Sequence, residues 1–392
     1  MKIVYFTDFF YPNISGIATA IGNLASGLGK RGHKVHIFAP KIPNNTYKPD
    51  SQNVDIQYIS SIPSPIQETY LSFPNFFKIS RYLQINAPDI FHIESEFIVG
   101  VLGIIYARLR KKPLVGNFHG YLSNSNIGIP QLAIIDTIFF TVLIFIMNRC
   151  DAIVSPAQLG VDELKQHGLK RPVHFIPNCL NEDLFVKQPQ EQIEKLKQQY
   201  NLRRKVVLYV GRMVKEKSID ILLKSYKEVL QKEPETSLFM IGGGKFKEEY
   251  IQMTKDLGLE NDVVFAGEIT QDKLLTEGYF QTGDVFATAS TSELQPVSLS
   301  EAMFFGLPIV GVDAKGVGEM IRESGLLTTP GNVEQLTESI LKVLQDEDMK
   351  QKLSQQSLQM YEKLYSRKAV LDAYEKLYTD IITYANSRVK TH

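Results

Sequence analysis

Residues 206–217 read VVLYVGRMVKEK, and this stretch indicates the fold class most clearly. Its apolar first part predicts a buried strand, and the glycine that follows predicts a turn at the carboxyl end of that strand. Apolar residues at helical spacing over 219–230 predict a helix, and residues 237–241 predict the next strand. A strand, a helix and a second strand in this order predict two parallel strands joined by a right-handed crossover.

The same alternation extends over most of the chain. Further strands are expected at 3–7, 34–39, 54–60, 90–93, 114–118, 152–155, 174–176, 263–266, 285–287 and 309–312, with helices between them, for example over 18–30, 99–110 and 299–305. The predicted fold class is therefore α/β, with two Rossmann-like, doubly wound parallel sheets. Ligands of such sheets bind outside the carboxyl ends of the strands, so two sheets facing each other across a cleft would suit a ligand with two polar ends, such as a nucleotide-sugar.

A change of composition near residue 181 predicts the domain boundary. A chain of 392 residues is long for one core, and the segment around 181–205 is polar and rich in Gln and Lys. We expect an N-terminal domain over 1–178, a linker with a short surface helix over 179–204 and a C-terminal domain over 205–371. The tail from 333 is expected to be helical, and its last helix, about 372–392, is expected to pack back on the first domain.

Composition narrows the class of protein. Lys plus Arg and Asp plus Glu both number 43, which argues against a nucleic-acid binder with its basic excess. Cys150 and Cys179 give no disulfide framework, and the N-terminus has too short an apolar run for a signal peptide, so a cytoplasmic location is expected.

The apolar run 132–147, LAIIDTIFFTVLIFIM, is shorter than the about 20 residues that a membrane-spanning helix needs. It predicts a buried helix, with contact at a membrane surface as the alternative.

Two motifs in the second half suggest chemistry. Residues 291–308 read TSELQPVSLSEAMFFGLP, with Glu293 expected in a loop after a strand and Glu301 in the first turns of a helix. A helix N-terminus suits phosphate, and carboxylates suit sugar hydroxyls. A surface loop with a capping glutamate is the alternative, which the EAM-x2-G-x-P context makes less favourable. Arg212 and Lys217, which follow a strand, could neutralise a diphosphate, or could form a solvated basic loop.

Together these motifs resemble the large family of retaining glycosyltransferases with the GT-B fold. That family, glycosyltransferase family four, group 1, includes sucrose and glycogen synthases, mannosyltransferases, and diacylglycerol and phosphatidylinositol glycosyltransferases. The resemblance covers nearly the whole chain. Further matching motifs are Tyr11-Pro12 with Ser15-Gly16, RGHKV at 31–35, PDIFH at 88–92, KPLV at 112–115 with FHG at 118–120, FIPN at 175–178 and the glycines at 242–244.

The resemblance implies a role for each matching residue. It places the acceptor in the first domain and the nucleotide-sugar donor in the second. Arg212 and Lys217 would hold the diphosphate, Glu293 the donor sugar and Glu301 the ribose, while His119 would lie at the reaction centre. The implied catalytic residues are His119, Arg212, Lys217 and Glu293, and the implied donor-binding set adds Gly16, Gly211, Gly242, Gly244, Leu294, Gln295, Pro296, Val297, Ser298 and Glu301.

Three departures from the family pattern stand out. Cys179 and Asn181 occupy positions where Gly and Asp are common, and Ser218 replaces a frequent Gly. Pro296 stands where Gly is often found and cannot donate an N–H group.

The resemblance also implies the reaction and its partners. It implies hexosyl transfer with retention from a nucleotide-sugar, most simply a UDP- or GDP-sugar, with no cofactor and no metal. The acidic run Asp346-Glu347-Asp348 is interpreted as solvated surface rather than a metal site.

The acceptor is expected to be a membrane lipid such as diacylglycerol. Residues 64–78 resemble a loop and helix of diacylglycerol and phosphatidylinositol glycosyltransferases, and positive charge at Arg108, Arg110, Lys111 and Lys112 would suit anionic headgroups. The expected membrane or acceptor contacts are Tyr70, Phe73, Phe76, Phe77, Lys78, Arg81, Phe139 and Phe140. Peripheral association with the inner face of the cell membrane would follow. The alternatives are a transferase with a soluble acceptor and a non-catalytic nucleotide-sugar binding protein.

Overall fold

The computed structural model describes residues 1–12, 16–43, 45, 47–64, 70–120 and 130–390, without the side chains of 130–137 and 388–390. The predictions made on Ser15 and on residues 65–69 of the segment 64–78 lie outside the described residues, as do the side chains at 132–137 of the apolar run. The chain divides into two compact units, Met1–Leu180 with Arg367–His392, and Asn181–Ser366.

The first unit is built on a parallel sheet. Its strands and helices are β1 (Lys2–Phe6), α1 (Gly16–Lys30), β2 (Lys34–Pro40), β3 (Val54–Ile59), β4 (Ser61–Pro63), β5 (Tyr70–Ser72), α2 (Phe76–Asn86), β6 (Ile90–Ile93), α3 (Ile98–Leu109), β7 (Leu114–Asn117), α4 (Pro130–Met147), β8 (Ala152–Ser155), α5 (Gln158–Gln166) and β9 (Val173–Phe175). The parallel strand order is β3-β2-β1-β6-β7-β8-β9, and β4 and β5 form a separate antiparallel pair. The order reverses between β1 and β6, which makes the carboxyl ends of these two strands the topological switch point.

Both faces of this sheet are covered. On β1, Val4 and Phe6 belong to one apolar cluster, whereas Ile3 and Tyr5 belong to another. Alternate residues of a strand point to opposite faces, so the two clusters lie on opposite sides of the sheet. The strands are nearly continuous apolar runs for this reason, and the sheet is doubly wound.

The second unit repeats this plan. Its elements are α6 (Gln190–Gln199), β10 (Lys205–Val210), α7 (Ile219–Lys232), β11 (Thr236–Ile241), α8 (Lys247–Asp256), β12 (Val263–Gly267), α9 (Gln271–Thr276), β13 (Val285–Ala287), α10 (Val297–Phe304), β14 (Ile309–Val312), α11 (Lys315–Ile321), β15 (Gly325–Thr328), α12 (Val333–Gln345) and α13 (Glu347–Met360). The strand order is β12-β11-β10-β13-β14-β15, all parallel. Its switch point lies between β10 and β13.

The predicted fold class is confirmed by these two parallel α/β sheets. The predicted bounds of β6, β8, β13 and β14 are those observed, and most others differ by one or two residues. The sequence did not indicate β15 or the β4–β5 pair. Segment 181–204 was expected to be a linker. It belongs to the second unit, where α6 buries Ile193 and Leu196.

The last helix, α14 (Arg367–Lys390), belongs to the first unit although it follows the second in the chain. Val370, Leu371, Tyr374, Leu377 and Tyr378 enter the cluster that holds Ile3 and Tyr5. At the edge of this contact, the Arg31 guanidinium lies 2.7 Å from an Asp372 carboxylate oxygen and 2.8 Å from one of Glu375. Burial of these side chains, at roughly 25 cal/mol per Å² of apolar area, fixes α14 on the sheet.

Among the residues that the structure describes, none of the helices has the length and hydropathy needed to cross a membrane.

Candidate active site

Arg212 and Lys217 follow the carboxyl end of β10, at the switch point of the second sheet. The turn between them is held by hydrogen bonds to its backbone carbonyls: the Tyr209 hydroxyl donates to the Arg212 carbonyl at 3.1 Å, and Lys217 N–H donates to the Val214 carbonyl at 3.1 Å. Ser218 then adopts φ +48°, a left-handed conformation that costs a residue with a side chain about 1 kcal/mol. This explains why glycine suits this position, where the sequence departs from the family pattern.

The Lys217 ammonium contacts the Glu293 carboxylate in a direct ion pair. The two side chains are 13% and 24% exposed, so the pair is largely withdrawn from water. Burial and the positive charge of Arg212 lower the pKa of Lys217 to about 8, and Glu216 offsets part of this effect. The structure therefore brings together two of the residues that the sequence singled out from motifs far apart in the chain.

Glycines bring a second loop against the Arg212 loop. Met213 N–H donates to the Gly243 carbonyl at 2.6 Å, and Phe246 N–H donates to the Met213 carbonyl at 3.1 Å. A Cβ atom on Gly242 would lie 2.1 Å from the Gly211 carbonyl oxygen, and one on Gly244 would lie 2.6 Å from the Met213 oxygen. Both glycines also have positive φ, +136° and +143°. Gly242 and Gly244 thus support the site through the close approach of two backbones.

The loop that carries Glu293 is fixed by the start of α11. Gly316 N–H donates to the Glu293 carbonyl at 2.8 Å, and a Cβ atom on Gly316 would lie 1.6 Å from the Leu294 carbonyl oxygen. No side chain fits there without displacing the loop. The sequence analysis missed Gly316, although a glycine one residue after the strand-to-helix turn at 313–315 was the available signal.

The segment from Leu294 to Ser298 leads directly into α10. Pro296 is the residue before the helix, and its carbonyl accepts a hydrogen bond from Leu299 N–H at 3.1 Å. Proline lacks the N–H group that glycine would offer, but the N–H groups of Val297 and Ser298 head the helix. Such N–H groups suit an anion or a hydroxyl oxygen.

Glu301 lies inside α10 and is 3% exposed. Gln271, at the start of α9, donates to its carboxylate at 3.1 Å. Burial raises the pKa of Glu301 to about 7, and the Gln271 hydrogen bond opposes this rise. A buried carboxylate of this kind is stabilised in its charged form by further hydroxyl donors. Gln271 was not among the predicted site residues.

In the first unit, His119 follows β7 and its Nε2 lies 2.8 Å from a Glu94 carboxylate oxygen. Glu94 follows β6, is 2% exposed, and also accepts a hydrogen bond from Asn117 Nδ2 at 2.9 Å. Burial alone would raise the pKa of Glu94, but His92 and the hydrogen bonds from His119 and Asn117 outweigh it and lower that pKa. His119 is thus oriented by a buried carboxylate.

Two further carboxyl groups lie at the switch point of the first sheet. Asp8 follows β1 and accepts hydrogen bonds from Ser95 Oγ at 2.6 Å and from the N–H groups of Val99 and Gly100, which caps α3. Glu96 follows β6, and burial raises its pKa to about 7, with Asp8 and Glu94 adding to the rise and His119 opposing it. Gly16 begins α1, and no described atom lies within 4 Å of the position a Cβ would take.

The predicted membrane contacts divide into exposed and buried residues. Phe73, Phe76 and Phe77 are 56%, 55% and 91% exposed, Lys78 and Arg81 are also exposed, and Tyr70 is half-buried. The prediction for Phe140 is wrong, because this side chain is 3% exposed and its ring stacks on His167 with centroids 3.7 Å apart. Phe139 packs against the same core cluster. Among the described side chains of α4, the large apolar ones that are exposed are Ile138, Val142 and Phe145.

The acidic run at 346–348 has a structural role. Asp346 caps α13 by accepting a hydrogen bond from Met349 N–H at 2.9 Å. Over the described part of the chain, no group of three or more His, Cys, Asp or Glu side chains is arranged to hold a metal ion.

Each of the two units matches a known protein family. Residues 14–184 match the family described as Glycosyltransferase Family 4, and residues 191–360 match Glycosyl transferases group 1. The chain belongs to the GT-B glycosyltransferases. This glycosyltransferase is therefore a hexosyl-transferring enzyme, as the sequence motifs indicated.

Individual relatives span its length. The α-monoglucosyldiacylglycerol synthase of Streptococcus pneumoniae is 27% identical over 316 residues, which cover 79% of this chain and 70% of the relative. The enzyme of the same name from Acholeplasma laidlawii is 25% identical over 407 residues, covering 99% of each chain. Anabaena HepE, solved in complex with UDP, is similar in fold with a TM-score of 0.76 at 20% identity, over 97% of this chain and 100% of HepE.

The residues that the sequence analysis missed in this glycosyltransferase are those that orient others. Glu94, Asn117 and Asp8 each lie within two residues of a strand's carboxyl end, yet their partners come from other strands. A search for polar residues directly after every predicted strand would have found Asp8 and Glu94, whereas Asn117 lies inside the strand predicted over 114–118.

Proposed function

We propose that this protein transfers a glucosyl group from UDP-glucose to diacylglycerol, with retention of the anomeric configuration. The observation that carries the proposal is the cluster of Arg212, Lys217 and Glu293 at the switch point of the second sheet. Cations there suit a diphosphate, and a carboxylate suits sugar hydroxyls. The choice of donor follows HepE, whose structure holds UDP, and the choice of acceptor follows the two synthases.

Each donor residue has a separate part in the proposed reaction. Arg212 and Lys217 neutralise the diphosphate, and Glu301, half protonated near neutrality, accepts hydrogen bonds from the ribose hydroxyls. When the donor binds, Glu293 exchanges the Lys217 ammonium for hydroxyl groups of the sugar. The N–H groups at the start of α10 complete the set. In the first unit, His119 is the group proposed to bind a hydroxyl of the transferred sugar.

The proposed chemistry needs no enzyme carboxylate as a nucleophile. The bond between the anomeric carbon and the diphosphate oxygen breaks, and a bond to the acceptor hydroxyl oxygen forms on the same face of the sugar. The proton of that hydroxyl goes to the departing diphosphate. Negative charge accumulates on the diphosphate, where fixed cations stabilise the transition state most. Since Arg212 and Lys217 supply that charge, we propose that the reaction proceeds without a metal ion.

The direct test is glucolipid synthesis by the full chain. Purified protein is incubated with UDP-glucose and diacylglycerol in phosphatidylglycerol vesicles, with and without EDTA, and both UDP release and the lipid product are measured. We expect equal amounts of UDP and α-linked glucosyldiacylglycerol, unchanged by EDTA. GDP-glucose and ADP-glucose serve as comparison donors.

Other results would support a different function for this protein. UDP release that rises with a soluble sugar but not with the lipid would favour a soluble acceptor. UDP-glucose binding without release in the presence of any acceptor would indicate a binding protein. Loss of activity in EDTA that Mg²⁺ or Mn²⁺ restores would contradict metal independence.

We further propose that α2, α3 and α4 rest on an anionic membrane surface. On α3, Ile98, Val101, Ile105 and Leu109 form a stripe at helical spacing and are 42%, 36%, 44% and 73% exposed. The three helices are neighbours, because the Tyr106 hydroxyl donates to the Phe76 carbonyl at 2.7 Å and the Arg108 side chain contacts the Arg149 carbonyl.

Positive charge borders this apolar surface. Exposed cations lie on α2 and around the C-terminal end of α3, namely Lys78, Arg81, Arg108 and Lys111, and the half-buried Lys112 follows them. An apolar face rimmed by Lys and Arg is typical of interfacial helices, and each cation near anionic lipid contributes about 1 kcal/mol. Diacylglycerol has no soluble form, so an enzyme that uses it must reach the bilayer surface.

Replacement of both Phe76 and Phe77 by Ser is expected to lower the fraction bound to phosphatidylglycerol vesicles at least about fivefold, because two aromatic anchors are lost. Sedimentation with the vesicles measures this. Val186→Ser removes an apolar side chain that is 41% exposed in the second unit and should leave binding unchanged. Equal binding by all three proteins, or no binding of the unchanged protein at low salt, would contradict the proposal.

A further inference from the structure

A chain of buried polar groups connects the C-terminal helix to His119. The Tyr5 and Tyr378 hydroxyl oxygens are 2.7 Å apart, and the Tyr378 oxygen lies 2.6 Å from His92 Nδ1. His92 Nε2 lies 3.6 Å from a Glu94 carboxylate oxygen, which is beyond hydrogen-bond distance, so this contact is electrostatic only, and the other Glu94 oxygen lies 2.8 Å from His119 Nε2. All of these groups belong to the first unit.

The chemistry of these groups fixes where the protons lie. Glu94 is ionised and can only accept, so His119 Nε2 must carry the hydrogen that it donates. In the neutral ring, a hydrogen on Nε2 leaves the Nδ1 lone pair as an acceptor. At the other end, burial lowers the pKa of His92 to about 4, so that ring is neutral near pH 7. If Tyr378 donates to His92 Nδ1, the Nε2–H group faces Glu94, and Tyr5 donates to Tyr378.

The surroundings of Glu94 hold it in one orientation. The carboxylate is 2% exposed, Asn117 donates to one of its oxygens, and the His92 ring stacks on Tyr5 with centroids 4.9 Å apart. His119 is the end of the chain that opens outward, with 9% of its side chain exposed. A carboxylate that orients a histidine in this way selects one ring tautomer and one ring plane.

We infer that Glu94 is a positioning residue that holds His119 as the Nε2–H tautomer, leaving Nδ1 to accept a hydrogen bond from a substrate hydroxyl, and that Tyr378 of α14 supports this arrangement by fixing the His92 ring beside Glu94. The substrate part of this inference rests on the proposed function. The tautomer part does not, because it concerns the free enzyme.

Two measurements on the intact chain test the inference. The first is the ¹⁵N resonances of the His119 ring, assigned by their loss in His119→Asn. We expect the unchanged protein to show the Nε2–H tautomer, and Glu94→Gln, whose amide can also donate, to show a mixture of tautomers. Glu94→Asp, which keeps the charge, should retain part of the Nε2–H form.

The second measurement separates turnover from binding. Glu94→Gln should lower kcat at least about 30-fold, with less than about a threefold change in the Kd for UDP, because the proposed UDP contacts lie in the second unit. Tyr378→Phe removes the hydrogen bond to His92 but leaves the ring in place, and should lower kcat about fivefold. Phe and Tyr are close in volume, so this variant is expected to fold.

The outcomes are distinguishable from failure of the proposed function. An Nδ1–H tautomer of His119 in the unchanged protein would overturn the inference without any substrate. So would Glu94→Gln with an unchanged tautomer and unchanged kcat. If Glu94→Gln does not fold, the inference is still tested by the His119 tautomer of the unchanged protein and by the kcat of Tyr378→Phe. Lack of activity on diacylglycerol would refute the proposed acceptor but would leave the NMR result intact.

Discussion

Lys217→Ala is expected to lower kcat at least about 100-fold while the fold stays intact. The ammonium that now contacts Glu293 would otherwise stabilise the charge that develops on the departing diphosphate. A hundredfold loss corresponds to about 3 kcal/mol of transition-state stabilisation, a usual contribution for a fixed cation at such a site. Steady-state UDP release from UDP-glucose measures the effect. Truncation also leaves Glu293 without its ion-pair partner, so the Kd for UDP should rise as well.

A neighbouring lysine provides the control. Lys215 is exposed, with its Nζ 5.0 Å from the centre of the Phe246 ring, and Lys215→Ala should leave kcat within about twofold. Near-normal turnover in Lys217→Ala would refute the diphosphate role.

The pH profile gives a second readout of Lys217. Its pKa in the free enzyme is lowered to about 8, so the ammonium is charged below that pH and neutral above it. Donor binding requires the charged form of Lys217, hence kcat/KM for the donor should fall as pH rises above 8, apart from a separate decline below about pH 7 where Glu301 becomes protonated. Lys217→Arg, which stays charged, should lack this decline. A flat profile for the unchanged protein up to about pH 9.5, roughly 1.5 units above that pKa, would contradict the assignment.

Gly242→Ala is expected to destabilise the second unit by about 3 kcal/mol and to weaken UDP binding at least about tenfold. Its φ of +136° is a region that alanine rarely adopts, and the new Cβ would lie 2.1 Å from the Gly211 carbonyl oxygen. The loop that carries Arg212 would have to move to relieve the contact. Chemical denaturation and isothermal titration with UDP measure the two effects.

Gly258→Ala is the matched control. Gly258 also has positive φ, +71°, but no described atom lies within 4 Å of its Cβ position. Only the backbone cost of about 1 kcal/mol should appear, with UDP affinity unchanged. Comparable losses in the two variants would mean that the approach of the two loops adds nothing to the site.

The fold followed from the sequence because its strands are buried on both faces. Continuous apolar runs such as 206–210 and 309–312 are distinctive, and alternation with helices leaves few topologies. Short elements were missed for the converse reason. In β15 the sequence Gly-Leu-Leu-Thr is brief and has only two large apolar residues, and β4 and β5 are held mainly by each other.

The orientation of α4 could not be read from its sequence. Since apolar residues surround the whole helix, no face is distinguished by polarity, and Phe140 was assigned to the wrong side. The burial of Phe140 depends on the His167 ring, which belongs to the segment after α5. By contrast α2 begins with aromatic and basic residues, and there Phe77, Lys78 and Arg81, which were predicted to contact the membrane or the acceptor, are exposed.

The site residues that could be predicted from the sequence lie in motifs that include a strand, a turn and a helix. Glu293, Glu301 and Arg212 stand in segments with a strand, a turn and a helix in immediate succession. Glu94 and Asp8 do not, since their partners become neighbours only through the strand order β1-β6-β7. Strand order depends on packing between distant segments, which a single sequence does not display.

The position of α14 in the chain has a consequence for biosynthesis. The second unit is one continuous segment, Asn181–Ser366, whereas the first unit lacks Tyr374 and Tyr378 until residues beyond 366 have been synthesised. Domains fold as units while the chain emerges from the ribosome. Here the unit that contains the first residues to emerge is completed last, so Glu94 and His119 reach their final arrangement only after residues 181–366 have been synthesised.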